Sequence, residues 1–188
     1  YFSTKGNKEN LSFIFHIIKK LKLKNNHTIE TINNFRGLKY RQEIIYKNSK
    51  ICCINDSKAT SFSSSIDIIQ SKEKVFWIVG GIPKLGDKFY LSKNDCKNIK
   101  AYIFGKNKQF FIKQFKNKIS YYYSKNLKTI IQKILYDIKS SKSNLHKTIL
   151  FSPSAASFDT FSNFEERGDY FNFLIKKYKV KKTIDAII

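Results

Sequence analysis

The sequence predicts a mostly parallel, Rossmann-like α/β fold with helices on both faces of the sheet, and two observations support this prediction. Short apolar segments of strand length alternate with longer segments of helical periodicity along most of the 188 residues. In addition, three loops of small and polar residues each follow one of the apolar segments. Parallel strands joined by helices place such loops together at the carboxyl edge of the sheet, where ligands bind.

The first 36 residues are predicted to be helical. Residues 10–24 carry apolar side chains at helical spacing, and residues 28–35 form a second, shorter segment of the same kind. Asn25 and Asn26 separate the two segments. Gly37 then marks a turn, so a boundary between two parts of the chain is expected there.

The rest of the chain alternates strands and helices. Strands are predicted over residues 42–46, 51–55, 75–79, 101–104, 119–122 and 148–151. Helices are predicted over residues 63–69, 106–115, 127–140 and 163–178. The tail 180–188 is basic and then apolar, and both a last strand and a frayed end fit it.

The formal net charge of +22 first suggests a protein that binds nucleic acid or an anionic membrane. However, only three of the 36 basic residues are arginines, which are the side chains that most often read bases. The lysines are scattered among abundant Asn, Ile, Phe and Tyr, a joint enrichment that an AT-rich coding sequence produces. We therefore expect no nucleic-acid partner, although the positive field would favour anionic substrates.

Apolar runs and cysteines indicate a soluble, cytoplasmic protein that does not insert into a membrane. No apolar run approaches the roughly 20 residues that span a bilayer, and the run 11–18 lacks the pattern of a signal peptide. Cys52 and Cys53 are adjacent in a predicted strand and so point to opposite faces, while Cys96 stands alone. All three are expected to be small buried residues rather than metal ligands.

Three loops carry the functional signal. Residues 152–168 begin with Ser-Pro-Ser-Ala-Ala-Ser, follow a predicted strand and lead into a predicted helix. Backbone N–H groups at such a helix start are suited to a carboxylate or a phosphate. Residues 55–60, Asn-Asp-Ser-Lys-Ala-Thr, and residues 80–84, Gly-Gly-Ile-Pro-Lys, follow two other predicted strands. Three such motifs at one edge of a sheet predict a single site.

Taken together and in this order, the motifs resemble the Mur ligases that build the bacterial cell-wall peptide, and most of all the branch that adds D-glutamate. Asn7, Asn10 and the run 37–41, Gly-Leu-Lys-Tyr-Arg, extend the resemblance over nearly the whole chain. The resemblance implies that residues 1–36 are the C-terminal end of a central ATP-binding domain. Residues 37–188 would be the C-terminal domain, which binds D-glutamate and part of ATP.

The resemblance also implies an activity. Such ligases use ATP and Mg²⁺ to form an amide between UDP-N-acetylmuramoyl-L-alanine and D-glutamate through an acyl phosphate, in peptidoglycan precursor synthesis. The full-length enzyme would be a cytoplasmic monomer. Because the sequence contains no methionine and opens in mid-pattern at Tyr1, we expect an upstream segment. No Gly-Lys-Thr/Ser phosphate loop occurs, so the metal ligands are expected upstream and this chain alone is expected to be inactive.

Individual residues take roles from the same resemblance. Lys58 is the candidate catalytic cation, which would face the phosphates or the acyl phosphate. ATP contacts are implied for Asn7, Asn10, Arg41 and Asp56, and D-glutamate contacts for Thr60, Lys84, Ser157 and the backbone N–H of Phe164. Lysine supplies a point charge, and hydroxyl and N–H groups supply hydrogen bonds, as two carboxylates require. Arg167 and Glu165 are expected to brace the loop rather than touch substrate.

Four positions depart from the family pattern. Gly6 and Tyr40 stand where histidine is frequent, Ile82 where many members have an acidic or polar residue, and Ser154 where cysteine is common. Neither Gly6 nor Tyr40 can act as a base, and the change at Ile82 alters a contact near the amino-acid pocket. None of the four departures removes a predicted carboxylate ligand.

Three alternatives remain open. A Mur-type ligase for another amino acid, such as the folylpolyglutamate type, would share the fold and differ in its preference for D- over L-glutamate. An inactive basic α/β module that binds polyanions would show steeply salt-dependent binding. A remnant could keep the fold without any activity. The motif serines lack the Gly-x-Ser-x-Gly elbow of a serine hydrolase, so that class is the least favoured.

Overall fold

The computed structural model describes residues 5–23, 25–35 and 37–178, which belong to two compact units. The first unit comprises Tyr1–Leu38 and the second comprises Lys39–Ile188. The tail 180–188, which by sequence fits either a strand or a frayed end, lies outside the described residues.

The first unit consists of two helices, α1 (Lys5–Lys20) and α2 (Asn25–Asn34). Both begin and end earlier than predicted. They begin earlier because polar residues without periodicity form their first turns. Asn25 and Asn26, which the sequence predicts to separate the helices, are the first residues of α2. Between the helices lies a cavity of about 480 Å³ whose lining is mostly apolar. Several large apolar side chains of this unit are exposed: Phe13, Phe15, Ile17, Leu21, Leu23 and Ile29.

The second unit contains a six-stranded sheet in the order β1-β2-β6-β3-β4-β5. The strands are β1 (Glu43–Lys47), β2 (Ile51–Asn55), β3 (Lys74–Gly80), β4 (Ile99–Phe104), β5 (Ser120–Ser124) and β6 (Lys147–Phe151). The edge strand β1 runs antiparallel to β2, and the other pairings are parallel. All predicted strands are confirmed, with bounds that differ by at most two residues.

Four helices cover the two faces of this sheet. They are α3 (Phe62–Gln70), α4 (Lys108–Phe115), α5 (Leu127–Lys139) and α6 (Phe164–Lys177). Neighbouring strand residues point in opposite directions, so Trp77 packs in the cluster of α3 and α4 while Phe76 packs in the cluster of α5 and α6. The predicted Rossmann-like arrangement is confirmed. No helix in the described parts of the chain is both long enough and apolar enough to cross a membrane.

The three cysteines are buried, as the sequence predicts. Cys52 packs in one apolar cluster and its neighbour Cys53 packs in the other. Burial raises the pKa of the Cys53 thiol far above its usual range and that of Cys96 to about 11. These thiols therefore stay protonated and serve as small apolar side chains.

The sheet order brings the three motif loops together. Strand β6 lies between β2 and β3, so the loops that follow these strands are neighbours at the carboxyl edge. Backbone hydrogen bonds join them directly. The N–H of Asp56 donates to the Phe151 carbonyl (2.7 Å), and the N–H of Gly80 donates to the Pro153 carbonyl (3.0 Å). The three predicted motifs therefore share one edge of the sheet.

The turn after β3 requires glycine at position 80. Gly80 has a φ of +153°, and a Cβ built there would lie 2.2 Å from the Phe104 carbonyl oxygen. Gly86 also has a positive φ, but a Cβ there would meet no atom within 4 Å. We expect Gly80→Ala to lower the free energy of unfolding by roughly 3 kcal/mol and Gly86→Ala by roughly 1 kcal/mol, measured by urea denaturation. Equal effects would show that the contact with Phe104 does not constrain the turn.

Candidate functional site

The loop after β3 and the loop after β6 are joined by a short antiparallel bridge. Ile82 and Ala156 exchange two backbone hydrogen bonds of 2.9 Å. Gly81 makes this approach possible, since a Cβ on it would lie 2.2 Å from the Ala156 carbonyl oxygen. The bridge brings the segment that carries Lys84 next to the segment that carries Ser157, two residues predicted to bind D-glutamate.

Arg167 of α6 joins the loop after β6 to the loop after β2 from inside the protein. Its side chain is fully buried. Nε donates to Ser57 Oγ (3.1 Å), Nη2 to the Ser57 carbonyl (2.7 Å) and Nη1 to the Ala155 carbonyl (2.9 Å). Burial lowers the pKa of Arg167 to about 10, and the charge of Asp159 opposes that shift. The side chain braces both loops, as the sequence suggests.

A buried chain of polar side chains continues from Asp56. Ser152 Oγ donates to Asp56 Oδ2 (2.7 Å), and the backbone N–H of Gln42 donates to Oδ1 (3.1 Å). The Ser65 hydroxyl of α3 lies 2.7 Å from that of Ser152 and 2.6 Å from that of Ser154. Burial raises the pKa of Asp56 to about 7, although the hydrogen bonds that it accepts oppose the shift. A fraction of the Asp56 carboxyl group is therefore protonated at neutral pH.

Lys58 is held by backbone and aromatic contacts. Its N–H donates to the Tyr40 carbonyl (3.0 Å), and its ammonium group lies 3.6 Å from the centroid of the Phe164 ring. Tyr40 packs edge-on against Phe164, with ring centroids 6.1 Å apart. The Tyr40 hydroxyl donates to Asp169 (2.8 Å), and this hydrogen bond together with burial raises the pKa of Tyr40 to about 12. Tyr40 therefore stays protonated and acts as a fixed support.

Helix α6 comes close to the loop after β2 because of Asn55 and Gly168. Asn55 Nδ2 donates to the Gly168 carbonyl (3.0 Å). A Cβ on Gly168 would lie 2.4 Å from a ring carbon of Tyr40, so glycine is required at this approach. Ser57 Oγ donates to the Phe164 carbonyl (2.8 Å). The first residue of α6 is thereby placed beside the loop that carries Lys58.

The predicted D-glutamate ligands differ in exposure. Thr60 and Lys84 are exposed, Phe164 is half-buried, and Ser157 is buried, with 3% of its surface accessible. Phe164 is the first residue of α6, and no hydrogen bond from its N–H is found within the described part of the chain. The first N–H groups of a helix have no acceptor inside the helix, so this group is suited to an anionic ligand.

The predicted ATP ligands are divided between the two units. Arg41 is exposed and precedes β1, and Asp56 is buried at the end of β2. Asn7 and Asn10 belong to α1, where Asn7 is buried and Asn10 is exposed. Of these four residues, Arg41 and Asp56 lie in the unit that carries the motif loops.

Three polar residues without a predicted role hold the site together: Asn55, Ser57 and Ser65. The sequence does not single them out. Ser57 stands in a motif whose predicted roles belong to its neighbours, and Ser65 is one of several serines in the segment 61–65. Burial makes them important, because a buried polar group without a partner costs about 1–3 kcal/mol. The burial of these side chains depends on distant parts of the chain, so a local pattern does not reveal it.

The carboxyl edge carries several groups that suit an anion. Asp56 and Asp169 accept hydrogen bonds from the protein, whereas Oδ2 of Asp159 in the loop after β6 is buried without one from any described residue. The ion pairs found among the described residues all involve Asp137, so Lys58 and Lys84 have none. Ammonium groups without an ion pair, a serine hydroxyl and a helix-start N–H together fit a carboxylate or a phosphate group.

Comparison with known proteins identifies relatives of the chain. It is 36% identical over 183 residues to a UDP-N-acetylmuramoylalanine--D-glutamate ligase of Wolbachia sp. subsp. Brugia malayi, a match that covers 97% of this chain and 36% of that protein. It is 33% identical over 172 residues to the ligase of the same name from Rickettsia felis, a match that covers 92% of this chain and 38% of that protein. These matches confirm the resemblance to the Mur ligases. A third relative of this name, from Francisella tularensis strain SCHU S4, is 31% identical over 179 residues. That match covers 93% of this chain and 42% of the relative.

The chain spans 36–42% of the length of these relatives, which is consistent with a C-terminal portion. No protein-family model matches the chain. The activity that the relatives' names describe belongs to those longer proteins.

The buried guanidinium of Arg167 is expected to contribute strongly to stability. Arg167→Met should lower the free energy of unfolding by about 4 kcal/mol, because it leaves buried acceptors on Ser57 and Ala155 without their donor. Lys176→Met, an exposed substitution in the same helix, should change it by less than about 0.5 kcal/mol. Urea denaturation followed by circular dichroism measures both. Equal stability of the two variants would show that other contacts hold the loops.

Protonation of Asp56 should make folding depend on pH. Its pKa is about 7 in the folded protein against an ordinary value of 3.8, so the folded state keeps a proton that the unfolded state loses. The free energy of unfolding should therefore fall as the pH rises from about 4 to about 7. Asp56→Asn removes this pH dependence. Its free energy of unfolding should therefore rise relative to that of the wild type by up to about 4 kcal/mol between about pH 4 and about pH 7.

Urea titrations between pH 4 and pH 8 measure this difference. Asp67→Asn, which changes an exposed carboxylate of α3, is the control and should run parallel to the wild type. If the Asp56→Asn curve also runs parallel to the wild type, the Asp56 carboxyl group does not couple folding to pH.

Proposed function

We propose that this chain is the C-terminal portion of a ligase that joins D-glutamate to UDP-N-acetylmuramoyl-L-alanine in peptidoglycan precursor synthesis. The relatives that it matches carry the name of this reaction, and the chain spans 36–42% of their length. The observation that carries the proposal is the joining of the three motif loops at one edge of the sheet, by Arg167 and by the bridge between Ile82 and Ala156.

Residues 37–188 would form the C-terminal domain of this ligase, and residues 1–36 the end of its central ATP-binding domain. The apolar side chains that α1 and α2 expose support the second assignment. Two short helices that leave Phe13, Phe15 and Leu21 in solvent bury too little apolar surface to be stable by themselves. In a longer ligase, other parts of the central domain would cover these side chains.

One carboxylate of D-glutamate would bind Lys84 and Thr60, and the other would bind Ser157 and the N–H of Phe164. The segments that carry Lys84 and Ser157 are joined by the backbone bridge, and Phe164 begins a helix that Arg167 ties to both neighbouring loops. Lys84, Ser157 and Phe164 therefore sit on segments whose positions are fixed by hydrogen bonds. A dicarboxylate held at both ends would present its amine in a defined direction, as attack on an acyl phosphate requires.

Lys58 would stabilise the negative charge of the acyl phosphate and of the tetrahedral intermediate. The amine of D-glutamate would attack the acyl carbon, and collapse of the intermediate would release phosphate and leave the amide. Arg41 and Asp56, with Asn7 and Asn10 of the first unit, would contact ATP. Asp56 accepts two hydrogen bonds from the protein, and a carboxylate has about four acceptor positions, so a ribose hydroxyl can share it.

ATP and Mg²⁺ are proposed as the cofactors of the longer ligase. In the described parts of the chain, no group of three His, Cys, Asp or Glu residues could hold a metal ion, and the sequence contains no Gly-Lys-Thr/Ser loop. We assign the metal ligands and the phosphate loop to the upstream part of the longer enzyme. A cytoplasmic, monomeric ligase is the expected context, and this chain alone is expected to bind D-glutamate without forming the amide.

The proposal predicts specific binding of D-glutamate to this chain. Titration with D-glutamate should give saturable NMR shifts of the Ser157 and Phe164 amides, with clearly weaker shifts for L-glutamate. Lys84→Met and Ser157→Ala should each weaken binding by about tenfold, since a hydrogen bond to a charged group contributes about 1.5–3 kcal/mol. Lys88→Met removes an exposed lysine of the same loop and controls for the loss of one positive charge.

The same sample separates the alternatives. Equal affinity for L- and D-glutamate would contradict the proposal and favour a ligase for another amino acid. Steeply salt-dependent binding of DNA or RNA, with no response to D-glutamate, would indicate a polyanion-binding module. Amide formation by this polypeptide with ATP, Mg²⁺ and both substrates would show that the chain is active by itself. That result would contradict the expectation that the chain needs the rest of the ligase.

A further inference from the structure

The ammonium group of Lys58 rests on an aromatic ring rather than on an acid. Its Nζ lies 3.6 Å from the centroid of the Phe164 ring, the shortest ammonium–ring distance among the described residues. Within residues 5–23, 25–35 and 37–178, neither an ion pair nor a hydrogen bond of this ammonium group is found. The face of an aromatic ring attracts a cation at this distance through its quadrupole. The ring is therefore the principal contact of the Lys58 charge.

The ring of Phe164 is itself held in place. Tyr40 meets it edge-on, with an interplanar angle of 75°. Tyr40 is anchored in turn by its hydroxyl, which donates to Asp169. The carbonyl of Phe164 accepts a hydrogen bond from Ser57 Oγ. A ring that is fixed from the side and at its backbone can determine where the Lys58 ammonium group lies.

The position of the ring also decides what Lys58 can bind. Phe164 begins α6, and the N–H groups of a helix start carry partial positive charge. A lysine ammonium group beside these N–H groups needs an attractive partner. The first turn of α6 carries two carboxylates, Glu165 and Glu166, but neither forms an ion pair with Lys58 in the described part of the chain. The ring face supplies that attraction. An anion at this place would contact the Lys58 ammonium group and the helix start together.

We propose that the ring of Phe164 is a positioning element for Lys58, separate from the role of the Phe164 backbone N–H. The ring holds the ammonium group beside the start of α6 before a ligand arrives, so less side-chain entropy is lost on binding. The ligand class is a phosphate or acyl phosphate group. This inference rests on the proposed role of Lys58, whereas the backbone contact to D-glutamate does not depend on the ring.

The first test measures the geometry. The protons next to the Lys58 ammonium group should show upfield NMR shifts from the ring current of Phe164. Phe164→Leu keeps the backbone N–H and should abolish these shifts, whereas Phe164→Tyr keeps an aromatic face and should retain them. Phe173→Leu is the matched control, because it removes an exposed ring of the same helix that meets Lys177 at 5.4 Å. Lys58 shifts that do not respond to Phe164→Leu would overturn the inference.

The second test measures anion binding with inorganic phosphate at about 150 mM salt, where long-range attraction is screened. The Lys58 and Phe164 amides report binding. Phe164→Leu should bind phosphate about three- to tenfold more weakly than the wild type and Phe173→Leu, and Phe164→Tyr should recover most of the loss. D-glutamate binding, followed at Ser157, should fall in Phe164→Leu by a smaller factor than phosphate binding, since the N–H is kept, and should match the wild type in Phe173→Leu.

The outcomes separate this inference from the proposed function. Equal phosphate affinity in the wild type and Phe164→Leu, or no phosphate response in the wild type, would overturn the inference. Parallel losses of phosphate and D-glutamate binding in Phe164→Leu would indicate a structural role of the ring and would also overturn it. Absence of D-glutamate binding in the wild type would contradict the proposed function, while the ring-current result would still decide the position of Lys58.

Discussion

The candidate site depends on one buried charge, the guanidinium of Arg167. A charge removed from water is costly unless hydrogen bonds compensate, and no carboxylate of the described residues forms an ion pair with it. The compensation comes from hydrogen bonds to Ser57 and to the Ala155 carbonyl, together with the charge of Asp159, which opposes the burial that lowers the pKa of Arg167. The two loops therefore cannot separate without leaving unpaired groups on both sides. Because the pKa of Arg167 stays near 10 despite burial, the link remains charged and intact at neutral pH.

The topology of the sheet explains why the loops need such a link. Strand β6 comes last in the chain but lies between β2 and β3, so the loops that meet at the carboxyl edge come from distant parts of the sequence. Bringing together segments that are far apart in the sequence costs chain entropy. Pairing of the strands offsets this cost, but it fixes each loop only where the loop leaves its strand. Beyond the strands, the loops need contacts of their own. The hydrogen bond from Ser152 to Asp56 and the bridge from Ile82 to Ala156 supply them.

Much of this fold can be predicted from the sequence because its elements carry strong local signals. The opposite facing of Cys52 and Cys53, for example, follows from the two-residue period of a strand. The order of the strands cannot be predicted in this way, since it depends on contacts between distant segments. The start of α1 at Lys5 also escapes prediction, because its first residues are polar and carry no periodicity. Local patterns thus give the elements, and non-local packing gives their arrangement.

The candidate site likewise has features that local patterns predict and features that depend on non-local packing. Motif spacing places Lys58, Lys84 and Ser157 at one edge, since each follows a strand, but it does not reveal that Lys58 rests on the ring of Phe164. That contact matters because the net charge of +22 attracts every anion alike. The overall field is screened beyond about 8 Å at physiological salt and does not distinguish a phosphate from a nucleic acid. Discrimination requires donors in fixed positions, so under the proposed function the placement of Lys58, rather than the excess of lysine, would give this edge its selectivity.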